Sequence, residues 1–496
     1  MKEAHKLLKE WSYEFTPLDK GYTDKTLYVN LSDNTIKVKT VPAEMKEKFI
    51  GGKGYGLRYL WDATKPDTKW NDPENEINIF SGPIGGVTQY SGAGKSLCVS
   101  LSPQTDIPID SNVGGHYGPF VKFAGFDGIE IQGKAKNDNT VVFIDGVNHK
   151  VEIFEAPEEP LDSHHLAEVF HEMYADDEKD RKNISVVSTG AAAENSLIGM
   201  LNFSFFDPKR KMVRLKQAGR GGIGTVFRDK KLKALIVKIP GVKGNLNNVV
   251  DLSAISERGK RFNKEMRELD DSQAEMRTKG TAHITNIMND YDLLPVNNFK
   301  LGSHTDADKI HSNIYKEKYF TQGMPDGCWI GCNMSCAKGV DNYLIRSGPY
   351  AGEKVLVEGP EYETTSSLGS IMGIFNPDFT IESNFYCDTY GICTISWGTI
   401  MGFLMECFEA GILNEERTGG LKLNFGNADA AMELLHLVAK GEGFGKIAGM
   451  GVRKLKQYFE EKGWGDPKFM QDIGMENKGL EYSQYVSKES LAQQGG

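Results

Sequence analysis

Three of the seven cysteines lie within nine residues, at Cys328, Cys332 and Cys336. A run like this is typical of a disulfide, of a zinc site short of one ligand, or of an iron–sulfur site whose fourth thiolate comes from elsewhere. A disulfide is disfavoured because the N-terminal residues contain neither the apolar run nor the cleavage site of a secretory signal. Zinc usually binds Cys-x2-Cys pairs or histidines, and no histidine lies between His311 and His436. An iron–sulfur cluster fits best, although the Cys-x3-Cys-x3-Cys spacing by itself leaves a structural role open. This spacing also differs from the Cys-x3-Cys-x2-Cys run that would suggest radical S-adenosylmethionine chemistry.

Length and charge limit the classes of protein that this chain can belong to. A chain of 496 residues is too long for one core, so we expect two to four domains. Its net charge of -10 argues against general binding to nucleic acid or to acidic membranes. No stretch approaches 18 apolar residues, which predicts no membrane span and a soluble, cytoplasmic protein. The 55 glycines are clustered, a pattern typical of backbone that approaches a ligand or adopts positive φ.

The hydrophobic pattern predicts an α+β fold, with a β-rich first part and mostly helical sequence after residue 241. We expect a short charged helix over residues 1–20, a hairpin around Asp33-Asn34, and a helix from Pro42 to the glycine run Gly51–Gly56. The strands predicted after that helix are 77–80, 96–101, 128–132, 140–144, 150–153, 184–187 and 232–238. The predicted helices are 163–175, 252–278, 282–290, 362–374, 380–390, 394–411, 427–439 and 445–461.

Glycine-rich loops recur in the β-rich part. The sequence Gly219-Arg-Gly-Gly-Ile-Gly224 has the letters of a dinucleotide fingerprint, but that motif needs a helix directly after it, and here a charged run precedes a strand. Gly92-Ala-Gly-Lys95-Ser ends like a P-loop, yet Gln89 stands where the first glycine of that motif belongs. Together with the loop Asn112–Gly118, these segments predict backbone N–H groups that bind a large phosphorylated or otherwise anionic cofactor.

Acidic residues near the helices are candidates for chemistry. Glu361 and Glu363 follow the cysteine run two residues apart, so one of them could face a buried site and act as a general base, with a solvated surface as the alternative. Asp388, in Asp388-Thr-Tyr-Gly-Ile-Cys393, could accept hydrogen bonds from a heterocycle, with a helix C-cap at Gly391 as the alternative. Four further residues are interpreted as structural: His116, His283, Cys387 and Cys407.

These segments, taken together, resemble the tungsten-dependent aldehyde:ferredoxin oxidoreductase family from about Gly21 to the end. Five collinear motifs are more specific than any one of them. They are Gly51-Gly-Lys-Gly-Tyr-Gly, Asn112-Val-Gly-Gly-His-Tyr-Gly with Lys122-Phe-Ala-Gly-Phe-Asp-Gly, Ala218-Gly-Arg-Gly-Gly-Ile-Gly, Glu358-Gly-Pro-Glu-Tyr-Glu-Thr, and Cys387-Asp-Thr-Tyr-Gly-Ile-Cys.

The resemblance implies a tungsten or molybdenum ion held by the dithiolene sulfurs of two pyranopterins, beside a [4Fe–4S] cluster. The residues that would face pterin phosphates are Lys95, Asn112, Gly114, Gly115, Ala218, Gly219, Arg220, Gly221 and Gly222. Backbone carbonyls around Asn112 and Ala218 would bind a magnesium ion. Asp388, Gly391, Ile392 and Cys393 match the first pterin motif, with Ile392 in place of a leucine. Glu363 falls where the family has an acid beside the metal. The cluster would be bound by Cys328, Cys332 and Cys336. Glu382 matches a residue that binds an intersubunit metal in some members.

Two departures from the family pattern stand out. The cysteine run has one residue more between Cys328 and Cys332 than the usual Cys-x2-Cys-x3-Cys. The second pterin motif, the fourth cluster cysteine and an active-site histidine would lie beyond Gly496, so we expect this sequence to be a truncated form. The implied domains are a β-rich cofactor-binding domain over 1–242, a helical domain with the cluster cysteines and first pterin motif over 243–430, and the start of a C-terminal helical domain over 431–496.

The function implied by the resemblance is oxidation of aldehydes to carboxylic acids, with electrons passed singly through the cluster to ferredoxin or a ferredoxin-like subunit. The implied substrate is a small aldehyde or acid, and a homo-oligomer or hetero-complex is compatible with the pattern. The same cofactors also serve low-potential reductions such as those of aryl-CoA compounds or acids. A non-catalytic electron-transfer or scaffold subunit is the alternative from another class.

Overall fold

The computed structural model describes residues 4–320 and 326–485. Its strands, numbered in chain order, are β1 (Lys6–Ser12), β2 (Lys25–Asn30), β3 (Thr35–Thr40), β4 (Ile77–Ser81), β5 (Ser96–Leu101), β6 (Pro108–Val113), β7 (Gly128–Gln132), β8 (Thr140–Asp145), β9 (Lys150–Glu155), β10 (Ile184–Ser188), β11 (Leu201–Asp207), β12 (Met212–Ala218), β13 (Leu232–Lys238), β14 (Gly339–Leu344), β15 (Lys354–Glu358), β16 (Glu476–Asn477) and β17 (Leu480–Glu481).

The α-helices are α1 (Ala43–Phe49), α2 (Gly52–Ala63), α3 (Tyr117–Phe123), α4 (Ser163–Tyr174), α5 (Ala192–Asn195), α6 (Ile223–Asp229), α7 (Leu252–Arg267), α8 (Glu275–Lys279), α9 (Ile284–Asp290), α10 (Ser312–Lys318), α11 (Tyr362–Ser367), α12 (Pro377–Tyr390), α13 (Thr394–Glu409), α14 (Ala428–Lys440), α15 (Gly445–Ala448), α16 (Val452–Glu461) and α17 (Pro467–Ile473). Short 3₁₀ turns span Asp180–Asn183, Gly280–His283, Thr305–Ile310 and Ser370–Met372.

Two sheets make up the first half of the chain. One sheet has six strands in the order β3-β2-β7-β4-β5-β6, and the other has seven in the order β1-β9-β8-β13-β10-β11-β12. Strands β6 and β12 are edge strands, and the two approach each other where the side chain of Ile109 lies against Gly221, just beyond β12. The sheets therefore meet where β6 lies beside the turn that follows β12, and both strands lead directly into glycine-rich loops.

The helical half packs around a second core. Helix α13 is buried from Ser396 to Cys407, so it reads as an apolar helix on all sides rather than an amphipathic one. It packs on α11, and residues of α12 together with Ala192 and Ile198 from the sheet-rich half belong to the same hydrophobic cluster. The α+β prediction is confirmed, and the two halves share buried contacts. Among the described residues, no helix combines the length and apolar character that crossing a membrane requires.

The hairpin around Asp33-Asn34 and the seven strands predicted after the first helix are present. The charged helix predicted over residues 1–20 is wrong, because residues 6–12 form β1, which pairs antiparallel with β9. This edge strand places Trp11 against the core and its lysines in solvent, which suits the exposed edge of a sheet. The strands β6, β11 and β12 and the helices α3 and α6 were missed.

Two long helices predicted from the sequence are interrupted. The helix expected over 252–278 ends at Arg267 and resumes as α8, because Asp270, Asp271 and Ser272 favour turns over helix interiors. The helix expected over 445–461 is interrupted between Ala448 and Val452, and Gly451, whose φ of +85° favours glycine, directly precedes α16. The division into three domains stays a prediction.

Candidate active site between the sheets and the helices

A cavity of about 430 Å³ lies where the ends of β6 and β12 face the helical half. Six residues predicted from the sequence line it: Asn112, Gly219, Arg220, Glu363, Asp388 and Cys393. We call the side formed by Asn112 and residues 216–220 the sheet wall, and the side formed by Glu363, Asp388 and Cys393 the helix wall. The other lining residues are Asp110, Ser111, Met200, Lys216, Gln217, Glu358, Gly359, Glu361, Thr364, Asn384, Thr394 and Ile395.

The sheet wall presents hydrogen-bond donors to the cavity. A Cβ added to Gly219 would meet no heavy atom within 4 Å, so the backbone here borders open space. The Arg220 N–H donates to Ser111 Oγ (3.2 Å), and its guanidinium donates to the carbonyl of Glu481. The buried Nε of Arg220 and Nε2 of Gln217 have no partner among the described residues. Unpartnered buried donors beside an open backbone suit an anionic group such as a phosphate, so this wall fits the implied cofactor.

Three residues of the same loop shape the turn instead of lining the cavity. Gly221 and Gly222 have φ values of +81° and +72°, and added Cβ atoms would lie 2.5 Å from Ile109 and 2.3 Å from the Leu197 carbonyl oxygen. Only glycine fits this left-handed, crowded backbone. Ala218 is fully buried at the end of β12, opposite Leu201. Helix α6 begins directly after Gly222, so the turn reverses the chain within a few residues.

The helix wall contributes carboxyl groups that bind protons more readily than usual. Glu363 lies in the first turn of α11, and its Oε2 accepts a hydrogen bond from the Gln484 N–H (3.0 Å). Burial raises the pKa of Glu363, and the Gln484 N–H and the charge of Arg220 only partly offset this. Burial also raises the pKa of Asp388 far above its ordinary value, and the nearby negative charge of Glu358 adds to the effect. Both groups therefore hold a proton more readily than ordinary carboxyl groups do, which makes them candidates for proton transfer.

The turn between α12 and α13 places the remaining motif residues. Gly391 ends α12 with a φ of +71°, and an added Cβ would lie 2.4 Å from Thr189 Oγ1. Ile392 is fully buried and bridges to Gly199, so it faces protein and not the cavity. Cys393 caps α13, where its Sγ accepts a hydrogen bond from the Ser396 N–H (3.4 Å). Only Asp388 and Cys393 of this motif line the cavity.

A buried ion-pair array joins the two halves beside the cavity. The Glu358 carboxylate accepts hydrogen bonds from Arg214 (2.5 and 2.8 Å) and from Lys216 Nζ (2.8 Å). Burial would raise the pKa of Glu358, but the positive charges of Arg214 and Lys216 lower it to about 2. Lys216 therefore lies on the sheet wall, held by a carboxylate from β15 that stays ionised.

The cysteine run lies against the glycine loops of the six-stranded sheet. A Cβ added to Gly114 would lie 2.8 Å from Cys328 Cβ and 3.5 Å from Lys216 Cγ, and the Gly115 N–H donates to the Cys328 carbonyl (3.0 Å). The hydrogen bond to Cys332 and burial raise the pKa of Cys328, and the nearby charges of the exposed Lys95 and of Lys216 only partly offset this. The thiols are thus next to the Gly114–Gly115 loop, and Lys216 lies between the thiols and the cavity.

Hydrogen bonds around the run favour a thiolate at one cysteine. A hydrogen bond from Cys328 and backbone N–H groups, including that of Gly92, lower the pKa of Cys332 to about 5 against the effect of burial. The bond to Cys332 and burial raise the pKa of Cys328. Within residues 4–320 and 326–485, no three His, Cys, Asp or Glu side chains converge as ligands of a single metal ion would. Cysteine ligands of an iron–sulfur cluster can each bind a different iron, so the cluster stays a prediction for this run.

Family models match almost the whole chain. The N-terminal domain of aldehyde ferredoxin oxidoreductase matches residues 26–239, and domains 2 and 3 match residues 257–495. This chain belongs to the aldehyde ferredoxin oxidoreductase family. The resemblance predicted from the sequence is therefore confirmed, and the chain is an oxidoreductase by family.

Several curated relatives and one solved structure resemble this family member. A tungsten-containing aldehyde ferredoxin oxidoreductase of Pyrococcus horikoshii is 32% identical over 95% of this chain and 70% of its own length. The WOR-like subunit of an aliphatic sulfonate oxidoreductase of Pyrococcus furiosus is 30% identical over 87% of this chain and 66% of its own length. The active-site complex BamBC of benzoyl coenzyme A reductase superposes with a TM-score of 0.72 at 22% identity, covering 95% of this chain and 67% of that one. This last similarity shows a shared fold.

Of the other residues singled out from the sequence, Glu361 also lines the cavity, and the rest are structural or lie elsewhere. Cys387 and Cys407 are fully buried core residues, as predicted. The buried ring of His116 packs against Trp329, and the Nδ1 of His283 lies 2.8 Å from the Gly280 carbonyl. Glu361 accepts a hydrogen bond from Thr281, and Glu382 accepts one from the Ser347 N–H (2.9 Å) while lining a separate cavity of about 530 Å³.

Sequence reasoning missed Lys216, Gln217 and Arg214, since β12 was not predicted. A signal was present, because Val213 and Leu215 alternate with Arg214 and Lys216 in the two-residue period of a strand. The helix α6 after the Gly219–Gly224 loop was also missed. It does not restore a dinucleotide fold in this family member, because the order β13-β10-β11-β12 is antiparallel at every step and β12 cannot form a parallel crossover with β13.

Proposed function

We propose that this chain is a tungsten–pterin oxidoreductase that oxidises aldehydes to carboxylic acids and passes electrons singly through a [4Fe–4S] cluster to ferredoxin or a partner subunit. The observation that supports this most is the cavity itself. It gathers Asn112, Arg220, Glu363 and Asp388 from four separate parts of the chain, beside a glycine loop that contacts Cys328. Relatives named as tungsten-containing aldehyde ferredoxin oxidoreductases support the same assignment.

The sheet wall would hold the anionic parts of the cofactor. Arg220 and Lys216 supply positive charge, Gln217 supplies an unpartnered donor, and Gly219 allows close approach of backbone. Backbone carbonyls around Asn112 and Ala218 would bind the magnesium ion, and Lys95, Gly114 and Gly115 lie on the side that faces the cysteine run. When bound, the tungsten–bis-pyranopterin group supplies the two-electron oxidation of the substrate carbonyl.

The helix wall would manage protons. Oxidation of an aldehyde hydrate to an acid releases two electrons and two protons, so a basic group must lie at the reacting end of the cavity. Glu363 is half-buried there, its raised pKa lies closer to neutral than that of an ordinary glutamate, and the Gln484 N–H fixes its orientation. Asp388 lines the same wall, and its carboxyl group would form hydrogen bonds with the pterin ring.

The cysteine run would take the electrons one at a time. Cys328 packs on Gly114, and Lys216 lies next to both Gly114 and the cavity, so the one-electron centre would adjoin the two-electron centre. Either ferredoxin or a partner subunit could then receive each electron. The relative that is named as a subunit of a sulfonate oxidoreductase supports the second arrangement as an alternative.

Anaerobically purified holoenzyme should reduce benzyl viologen when small aldehydes are added. A protein that contains the cofactor but shows no aldehyde-dependent reduction with any aldehyde contradicts the proposal. Reduction of low-potential acceptors such as aryl-CoA compounds by the same preparation would then assign the chain to the reductase alternative.

The role of the cysteine run needs a separate variant. Cys332→Ala should lose iron and electron transfer to ferredoxin, because it removes a ligand of the proposed cluster. Cys407→Ala is the matched control, since Cys407 is buried in the helical core. This variant should retain both iron and electron transfer to ferredoxin. Equal iron content in the two variants would contradict the assignment of the run.

A further inference from the structure

Helix α7 carries an unusual concentration of positive charge for a protein whose net charge is -10. Between Leu252 and Arg267 it has five basic and two acidic residues, all of them exposed. Arg258, Lys260 and Arg267 form no ion pair with any residue in the described ranges, whereas Arg261 pairs with Glu265 (2.8 Å). Lys264 lies 3.7 Å from Glu268. A basic surface is therefore present on an otherwise acidic chain.

This helix packs directly on the loop that surrounds the cysteine run. Gly259 lies so close to the Gln89 carbonyl that an added Cβ would be 1.9 Å from its oxygen, and Phe262 stacks on Tyr90 with ring centroids 5.9 Å apart. Asn263 Oδ1 accepts a hydrogen bond from Asn333 Nδ2 (2.8 Å), and Asn333 directly follows Cys332. Helix α7 therefore contacts the cysteine run itself.

Helical periodicity places three of these cations on the side of α7 that borders its contact with the run. Lys260, Lys264 and Arg267 are spaced i, i+4 and i+7, so they lie on one face. Asn263 is three residues after Lys260 and four before Arg267, so this face borders the hydrogen bond to Asn333. We call these three cations the basic stripe.

Apolar and uncharged surface adjoins the basic stripe at the run. Ile330 is 43% exposed and Tyr90 is 38% exposed, while Gly92, Gly331 and Asn333 are also exposed. A small apolar centre with a charged rim is the composition of a protein–protein contact surface. The surface covers the part of the run that includes Cys332, so a carrier docked there would be next to the proposed cluster.

We propose that the basic stripe and the exposed rim of the cysteine run form the docking surface for a small acidic one-electron carrier of the ferredoxin type. The proposal rests on the proposed function, because it takes the run as the exit point of electrons. Charge complementarity identifies the partner, since an acidic carrier would be repelled by the negatively charged remainder of the protein and attracted at this face. Such attraction speeds encounter and fixes orientation.

The test reverses the stripe with Lys260→Glu, Lys264→Glu and Arg267→Glu in one variant. The matched control, Lys446→Glu, Lys462→Glu and Lys468→Glu, makes the same change in charge at exposed positions of the C-terminal helices. The probes are an acidic bacterial-type [4Fe–4S] ferredoxin, a basic c-type cytochrome and the dye benzyl viologen. Binding of the ferredoxin to the purified holoenzyme is measured separately from turnover, as a function of salt.

The stripe variant should bind ferredoxin about tenfold or more weakly and reduce it with a kcat/KM lower by about tenfold or more, while its salt dependence flattens. The stripe variant should reduce the basic cytochrome faster than wild type does, and it should reduce the dye at the wild-type rate. The control variant should match wild type in ferredoxin binding and in the reduction of all three probes. Unchanged ferredoxin binding in the stripe variant, or an equal loss in the control, would overturn the proposal. If wild type shows no aldehyde-dependent dye reduction, the proposed function fails, and the binding measurement still decides whether the stripe is the docking surface.

Discussion

The two walls of the cavity differ in what they present to a ligand. On the sheet wall, Lys216 and Arg220 supply positive charge, and Gln217 Nε2 and Arg220 Nε are unpartnered donors among the described residues. The acid on β6, Asp110, is paired with Lys53 (2.6 Å). The helix wall has the carboxyls of Glu363 and Asp388, whose pKa values burial raises. This difference is the basis of the proposed division of roles, in which the sheet wall would hold an anionic cofactor and the helix wall would move protons.

The strongest test of the helix wall is Glu363→Gln. It keeps the shape of the side chain but removes the base, so we expect aldehyde-dependent turnover to fall by about a hundredfold to ten-thousandfold while tungsten and pterin content stay unchanged. Glu353→Gln, at an exposed position of the β14–β15 hairpin, is the control and should be fully active. In wild type, kcat/KM should rise with pH through the raised pKa of Glu363, and this limb should disappear in the variant. Wild-type turnover in Glu363→Gln would contradict the role of the helix wall in proton transfer.

Glu358→Gln tests the ion pairs that join the two walls. The substitution leaves the buried charge of Lys216 without its carboxylate and removes the bidentate partner of Arg214, which keeps only its pairs with Asp326 (2.6 Å) and Asp207. We therefore expect the free energy of unfolding to fall by about 3–5 kcal/mol. Chemical denaturation of the apoprotein measures this without any contribution from cofactor. Glu155→Gln removes an exposed pair with Lys6 and should change stability by less than about 1 kcal/mol. Equal effects from the two substitutions would show that the array does not tie the walls together.

The same array predicts a pH dependence. The folded-state pKa of Glu358 is about 2, below its ordinary value of 4.5. The ionised carboxylate therefore stabilises the fold fully above pH 4.5, and this contribution is lost as the pH falls toward 2. Between these values wild type should lose stability more steeply than Glu358→Gln, at about 1.4 kcal/mol for each unit of pKa difference. Parallel stability curves for the two proteins would show that Glu358 is not held ionised by Arg214 and Lys216.

A glycine pair sharpens the account of the sheet wall with smaller effects. Gly221→Ala should destabilise the fold by about 1–3 kcal/mol, because an alanine there needs a left-handed backbone and clashes with Ile109. Gly219→Ala should leave the unfolding midpoint unchanged, since its Cβ would point into open space, but should lower the pterin content of purified protein. A destabilised Gly219→Ala and a neutral Gly221→Ala would contradict this account of the loop. Unchanged pterin content in Gly219→Ala would contradict binding of the cofactor at this wall.

The sequence was sufficient for the parts of the fold with strong local patterns. The short apolar strands such as 140–144 and 232–238 and the apolar helix from Thr394 were predictable, because their patterns do not depend on distant contacts. The motif residues Asn112, Arg220, Glu363, Asp388 and Cys393 could also be selected from their sequence context. Their common cavity could not be predicted, since it depends on how edge strands β6 and β12 meet the helices.

The misses have physical causes in particular segments. Residues 6–12 look like a charged helix, but pairing with β9 and burial of Trp11 favour a strand. Strand β12 alternates arginine and lysine with apolar residues, and its polar face is buried because Glu358 comes from another part of the chain. The alternation alone predicts a strand, but the burial of its basic face depends on the distant Glu358, so the place of Lys216 in the cavity could not be predicted from the local pattern.

The most direct measurement is the metal and pterin content of the anaerobically purified protein, combined with its electron paramagnetic resonance spectrum. The account predicts tungsten or molybdenum together with pterin, and a cluster signal that disappears in Cys332→Ala while the pterin metal remains. Iron without tungsten, molybdenum or pterin would contradict it, because the cavity would then not hold the cofactor for which its two walls are assigned.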